Sequence, residues 1–166
     1  MSRTQTLIAS IVFSRSYTLR LVESIPVGEW FKIPPAGVSH VAWQVGHLAM
    51  AQYRLALQRI RGERPDDAAL ISPEFLKTFG RDSVADPDPS RFPSPEEIRA
   101  VFERVYARLM SELPSLEDAT LDQPAATPHA FCKTKFDCLH WCSHHEMLHA
   151  GQIGLLRRQL GHKQLW

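Results

Sequence analysis

Residues 144–152 read "HHEMLHAGQ", and inside this run stands H-E-x-x-H: His145, Glu146 and His149. In zinc proteases the pattern puts two histidines one helical turn apart on the ion and makes the glutamate a general base. The surroundings decide whether that fold follows. A zincin draws its third ligand from downstream of the motif. Only residues 150–166 follow His149, and they contain neither Asp nor Glu. Their one histidine, His162, comes after Gly161, past the expected helix end. Gln152 and Leu155 stand where the longer metzincin pattern needs Gly and His. The protease reading lacks its third ligand, and nothing in the chain reads as its strands.

Around the run, the chain divides into four helical patterns. The first spans about Thr4 to Ser24, with apolar Leu7, Ile8, Ile11, Val12, Leu19 and Val22, and Pro26 and Gly28 stop it. The second begins after Ser39, read as its N-cap, and runs to Arg61 before Gly62. From Glu63 to Pro93 lies a polar, proline-rich connection with one short helix expected around Pro73–Phe79. Connections of that length are commonly functional or wrap a core. The third helix opens "SPEEIRAVFERVYARLMSEL" from residue 94, with Ser94 as N-cap, Pro95 at the first helical position and Glu97 closing a capping box. Pro114 ends it. The fourth runs from about Thr134 to Leu160, with Gly161 after it. Strand signals are absent. The spacing predicts an all-α four-helix bundle, one domain over residues 1–166, with a long crossover between helices two and three.

Composition narrows the function classes. Nineteen basic residues against 18 acidic ones give a net charge of +1 without a basic run, which argues against a nucleic-acid partner. No apolar stretch reaches about 18 residues, so no membrane span is expected. The N-terminal "MSRTQTLIASIVFSRSYTLR" has Arg15 and Arg20 after its apolar run and no small-residue cleavage site, so it reads as the first helix and not a signal peptide. Three cysteines, Cys132, Cys138 and Cys142, are an odd count clustered late in the chain. They suit free thiols in a reducing cytoplasm better than a disulfide framework.

Of eight histidines, five fall between residues 129 and 149. At about 100° per residue, His149 lies about 40° from His145. Cys138, Cys142, Gln152, Ile153, Leu156 and Leu160 fall on the same stripe, which is expected to face inward. His140 and His144 point more than about 90° away, onto an outer face. Two inward histidines one turn apart can share one ion, and a bundle takes further ligands from a facing helix. Helix two offers His40, expected near solvent at its first turn, and His47, deeper between Gly46 and Ala49. His47 is the better placed; the alternative is a histidine satisfied by hydrogen bonds.

"VAWQVGHLAMAQYRLAL", followed about a hundred residues later by "HHEMLHAGQIGLLRRQLG", resembles the DinB-like superfamily, and the resemblance covers nearly the whole chain. It implies an up-down-down-up four-helix bundle, often dimeric, holding one divalent ion on three histidines, here His47, His145 and His149. Relatives include S-transferases and isomerases that use bacillithiol, mycothiol or glutathione, and the family's metals include zinc, nickel and iron. It carries no implication of DNA-repair chemistry.

Three imidazoles on a divalent ion leave an open position, the mark of a catalytic site. A water there is acidified towards about 7, which suits hydrolysis of a small molecule. A low-molecular-weight thiol cosubstrate there loses its proton, which suits S-transfer. The competing function is non-catalytic binding of metal or a small ligand, as in a stress-response protein, with a closed metal shell. Glu146 is the candidate for proton transfer; otherwise it orients a histidine or is simply solvated. Gln152 is expected to hydrogen-bond a ligand histidine or the substrate, and Gly151 to permit close packing. Arg54, seven residues after His47, binds an anionic substrate group or pairs with a carboxylate. Cys142 is a fourth ligand, a redox thiol or, most commonly for its type, a small core residue. Trp30, Trp43, Trp141 and Trp166 line a pocket or pack the core.

Overall fold

The computed structural model describes residues 2–35 and 37–165. Four long helices carry the chain. The first, α1 (Arg3–Glu23), starts one residue before its expected position, at a capping box between Ser2 and Gln5. The Asp118 carboxylate adds a second cap, accepting from the backbone N–H groups of Arg3 at 2.8 Å and Thr4 at 2.9 Å. Leu7, Ile11, Ser14, Thr18 and Leu21 are buried at alternating steps of four and three, the seam of a helix packed lengthwise on another.

Helix α2 (Val41–Gln52) starts one residue later than the Ser39 cap would set it. His40 is the cap, its Nδ1 accepting from the N–H of Trp43, and Ser39 instead accepts from the Gln44 side chain. His40 was expected near solvent and is fully buried, because its Nε2 also bonds the carbonyl of Asp86. The helix continues as a π-helical segment (Tyr53–Gln58) and a last α-turn (Arg59–Arg61), then stops at Gly62, whose φ of 79° suits glycine.

The crossover holds α3 (Asp67–Leu70), which no pattern announced, and α4 (Pro73–Thr78), which falls where a short helix was expected. Helix α5 (Pro95–Glu112) has the Ser94–Pro95–Glu97 start read from sequence. Helix α6 (Lys135–Gln159) begins with a Thr134–Asp137 capping box. Among the described residues there is no strand, only an isolated bridge between Pro124 and Thr134. No described helix is long and apolar enough to cross a membrane.

Helix α1 packs along α6, and α2 packs against both α5 and α6. Trp30, Tyr53, Phe79 and Phe102 are the largest fully buried side chains of one continuous core. The buried face of α6 differs from the stripe expected. Leu139, Glu146 and Ile153 are all buried and lie within about 40° of one another around the helix. His149 sits at the edge of that face and the half-buried His145 beyond it, while Gly151 and Gln152 are exposed. The face is turned towards Glu146 because Arg15 of α1 meets that carboxylate inside the core, Nε to Oε1 at 2.8 Å. A charged residue can occupy the centre of a helix–helix contact when its partner is buried with it.

Candidate metal centre

His47 of α2 and His145 and His149 of α6 each bring one nitrogen to within 4.8 Å of the others. Ring centroids lie 4.7 Å apart for His47 and His149, 5.3 Å for His47 and His145, and 4.5 Å for His145 and His149. Among the described residues no cysteine or carboxylate joins the group.

Two of the three rings are held in a ligand-ready form. The Nδ1–H of His47 donates to the Phe79 carbonyl at 2.8 Å, and that of His149 donates to Gln44 Oε1 at 2.6 Å. Gln44 is itself oriented, its Nε2 donating to Ser39 Oγ at 2.9 Å. A proton fixed on Nδ1 leaves the lone pair on Nε2, the arrangement that metal-ligating histidines adopt. Burial keeps the rings neutral: it pushes His145 down to about 4 and His149 down to about 3, the neighbouring histidines adding to each shift. His47 is lowered too, chiefly by burial, against the bond to Phe79. An all-imidazole set of this kind suits zinc, nickel or iron(II).

The crossover forms part of the site. His40, Trp43 and His47 project from one face of α2 and grip successive points of it: the Asp86 carbonyl, Ser83 Oγ at 3.0 Å from Trp43 Nε1, and the Phe79 carbonyl. Trp43 stacks on His47 with centroids 4.7 Å apart and planes inclined 17°. Gly46 is required here, because a Cβ on it would lie 2.4 Å from the Phe79 ring.

The other candidates separate into those the fold gathers and those it does not. Trp141 stands beside His145 at 6.0 Å, with Phe131 edge-on to it at 4.9 Å and His129 next to Phe131 at 4.6 Å. Arg54 is half-buried in the π-helical segment on the His47 side of α2. Trp30 belongs to the core, and Trp166 lies outside the described residues. Gln152 points to solvent and bonds neither ligand histidine; Gln44 takes the part expected of it. His140 and His144 are exposed, as their face required. Glu146 is neither solvated nor set on a histidine: Arg15 takes both of its oxygens. Cys142 is buried beside Glu146 and Gln52 and away from the donor group, and burial pushes its thiol up to about 12. All three cysteines are free and buried.

Gln44 and the Phe79 carbonyl were missed in the sequence. Gln44 carried a usable signal, five residues before Ala49 and three before His47 on a helix that also bears a ligand. A backbone carbonyl carries none.

No curated protein matches the chain. A crystal structure of a conserved protein from Enterococcus faecalis superposes with a TM-score of 0.64 at 16% identity, covering 96% of this chain and 97% of that one, which speaks to the fold alone. The profile of the DinB superfamily matches residues 10–153, a span that takes in all three clustered histidines. With most of its length matched and His47, His145 and His149 of the two quoted segments gathered on facing helices, the chain belongs to the DinB superfamily.

Proposed function

We propose that this protein is a metal-dependent S-transferase or hydrolase of a small molecule, with one divalent ion on His47, His145 and His149. The observation that carries the reading is the pair of Nδ1 bonds to Phe79 and Gln44, which leaves Nε2 lone pairs directed away from both acceptors. An ion held there supplies Lewis acidity and lowers the pKa of a water or thiol at its open position. The chain's own residues position and shield: Gln44 and Phe79 fix two rings, and Trp43 covers one face of His47. Between the two reactions, S-transfer is favoured by the engagement of Glu146 with Arg15, since hydrolytic H-E-x-x-H sites use that carboxylate as a base. A thiol acidified by the ion needs no such base.

The same reading takes the four helices as one up-down-down-up bundle, working as a cytoplasmic homodimer with a low-molecular-weight thiol as cosubstrate. Metal analysis of tag-free protein tests the ligand set: His47→Ala and His145→Ala each lose the ion. Unchanged metal content in both removes the proposal. Titrating cobalt(II)-loaded protein with bacillithiol, mycothiol or glutathione tests the thiol, whose binding shifts the visible bands. Silence with all three leaves hydrolysis or plain metal binding.

A further inference from the structure

Among the described residues no carboxylate or cysteine joins the histidine triad, and two arginines lie on the His47 side of it. The three donors are neutral imidazoles, so a divalent ion would bring its whole charge into the site. Arg54 follows His47 by seven residues along the same continuous helix, which brings it round to the same side. The residue is half-buried, and its guanidinium meets no carboxylate and no hydrogen-bond acceptor among the described residues. Other half-buried arginines of this chain are paired: Arg61 with Asp67 and Glu112, Arg99 with Glu23 and Glu103, and Arg108 with Asp66.

Beside Arg54 lies a second cation that meets no carboxylate among the described residues. Arg59 donates to the carbonyls of Arg54 and Pro128, at 3.1 Å each, and its buried Nε–H has no partner. His129 adds a third donor. Its Nδ1 accepts from the N–H of Cys132 at 3.1 Å, so the neutral ring carries its proton on Nε2 and donates there. Phe131 and Trp141 link His129 to His145 edge to face.

Two half-buried arginines with no carboxylate on them leave this side of the site positive, a field that favours an anionic ligand. Resting on the metal-site reading above, we propose that the ligand of this site carries a carboxylate or similar oxyanion, and that Arg54 receives it while the ligand's other end reaches the triad. The carboxylate belongs either to the thiol or to its reaction partner.

Two thiols of similar size separate the charge from the sulfur: β-mercaptopropionate and β-mercaptoethanol, titrated into cobalt(II)-loaded protein and read from the visible bands. The native protein is expected to prefer the carboxylate-bearing thiol by roughly ten- to hundredfold, the range of a hydrogen bond to a charged group. Arg54→Gln should remove about tenfold or more of that preference, read as the ratio of the two thiols' affinities; Arg54→Lys should restore part of it. Chelation of cobalt by the carboxylate would survive in Arg54→Gln, so an equal preference in native and variant protein overturns the proposal. Calorimetric titration with propionate locates the carboxylate. Binding that depends on Arg54 and persists with β-mercaptoethanol present assigns it to the second reactant, whereas competition by β-mercaptopropionate alone assigns it to the thiol. If neither thiol shifts the cobalt bands, S-transfer fails; propionate binding that depends on Arg54 then still upholds the oxyanion site, and no propionate binding overturns it as well.

Discussion

Gln44 is a small residue change away from being a routine core position, yet it sets the state of a metal ligand. Its Oε1 accepts the His149 proton and its Nε2 is spent on Ser39, so it can satisfy only one tautomer of that ring. Gln44→Leu removes the acceptor without removing bulk. The expected outcome is a metal affinity lower by about 10- to 100-fold, the usual effect of losing such a partner. Gln44→Glu, which keeps an acceptor at the same reach, should hold the affinity at or above the native value. Competition with a chelator of known strength measures both, and equal affinity in Gln44→Leu would remove the residue from the site. His47 depends in the same way on a backbone oxygen, and Gly46 controls its place. A methyl group at residue 46 would meet the Phe79 ring at 2.4 Å and drive that segment outwards. Gly46→Ala is therefore expected to destabilise the fold by about 1–3 kcal/mol, in the range of overpacked cores. It should also weaken metal binding, because the Phe79 carbonyl moves with its ring. A variant destabilised with unchanged metal affinity would show that the carbonyl does not set the ligand.

At the scale of the element, α6 explains why the site was more legible than the packing. The i, i+4 spacing of His145 and His149 survives any rotation of the helix, so the ligand pair could be read from letters alone. The orientation could not. Hydrophobic arithmetic placed the inward stripe at His145 and assigned Gln152 to it, whereas the buried face centres on Glu146. Pattern reading counts a glutamate as solvent-facing, and the partner that overrules this, Arg15, lies 131 residues earlier. From α1, the guanidinium of Arg15 touches the other three long helices: Glu146 on α6, Gln52 on α2 at 2.9 Å, and on α5 the Phe102 carbonyl at 3.1 Å and its ring. It thereby sets the register of α6 against α2, and with it the distance between His47 and the other two ligands. Breaking one side of a buried pair costs about 3–5 kcal/mol, and replacing both sides with apolar groups costs far less. Glu146→Ala should lose stability on that scale, and Arg15→Met with Glu146→Met should recover most of it. Denaturant unfolding of the single and double variants checks this. If the double variant is as unstable as Glu146→Ala, the pair has no role as a matched unit.

Over the whole molecule, the fold class and four helix spans followed from caps and breakers that act locally: Ser94 and Pro95 at a start, Gly62 at a stop. The path of the crossover did not, because α2 holds it largely through the Phe79 and Asp86 carbonyls, groups every residue carries. That folded arrangement carries a pH cost which the chain as a whole must meet. In the metal-free protein His145 is held down to about 4 and His149 down to about 3, mainly by burial. An unfolded histidine titrates near about 6.5. Between these values the unfolded chain binds protons that the folded chain does not, so stability rises with pH across that window. Above about 6.5 both states are neutral and the dependence from these groups vanishes. Asp67 and Asp118 also lose stability in acid, but their depressed values place that loss below the ordinary carboxylate range, near about 3.9. The histidine window opens well above the carboxylate one, and its upper part is separable from it. Chelator-treated protein is expected to lose stability steadily from about pH 6.5 to about pH 4, measured by urea unfolding at each pH. His149→Ala, lacking one of these groups, should show a shallower slope over this interval. An identical slope in native and variant protein would mean that the buried rings do not govern the acid limit of this fold.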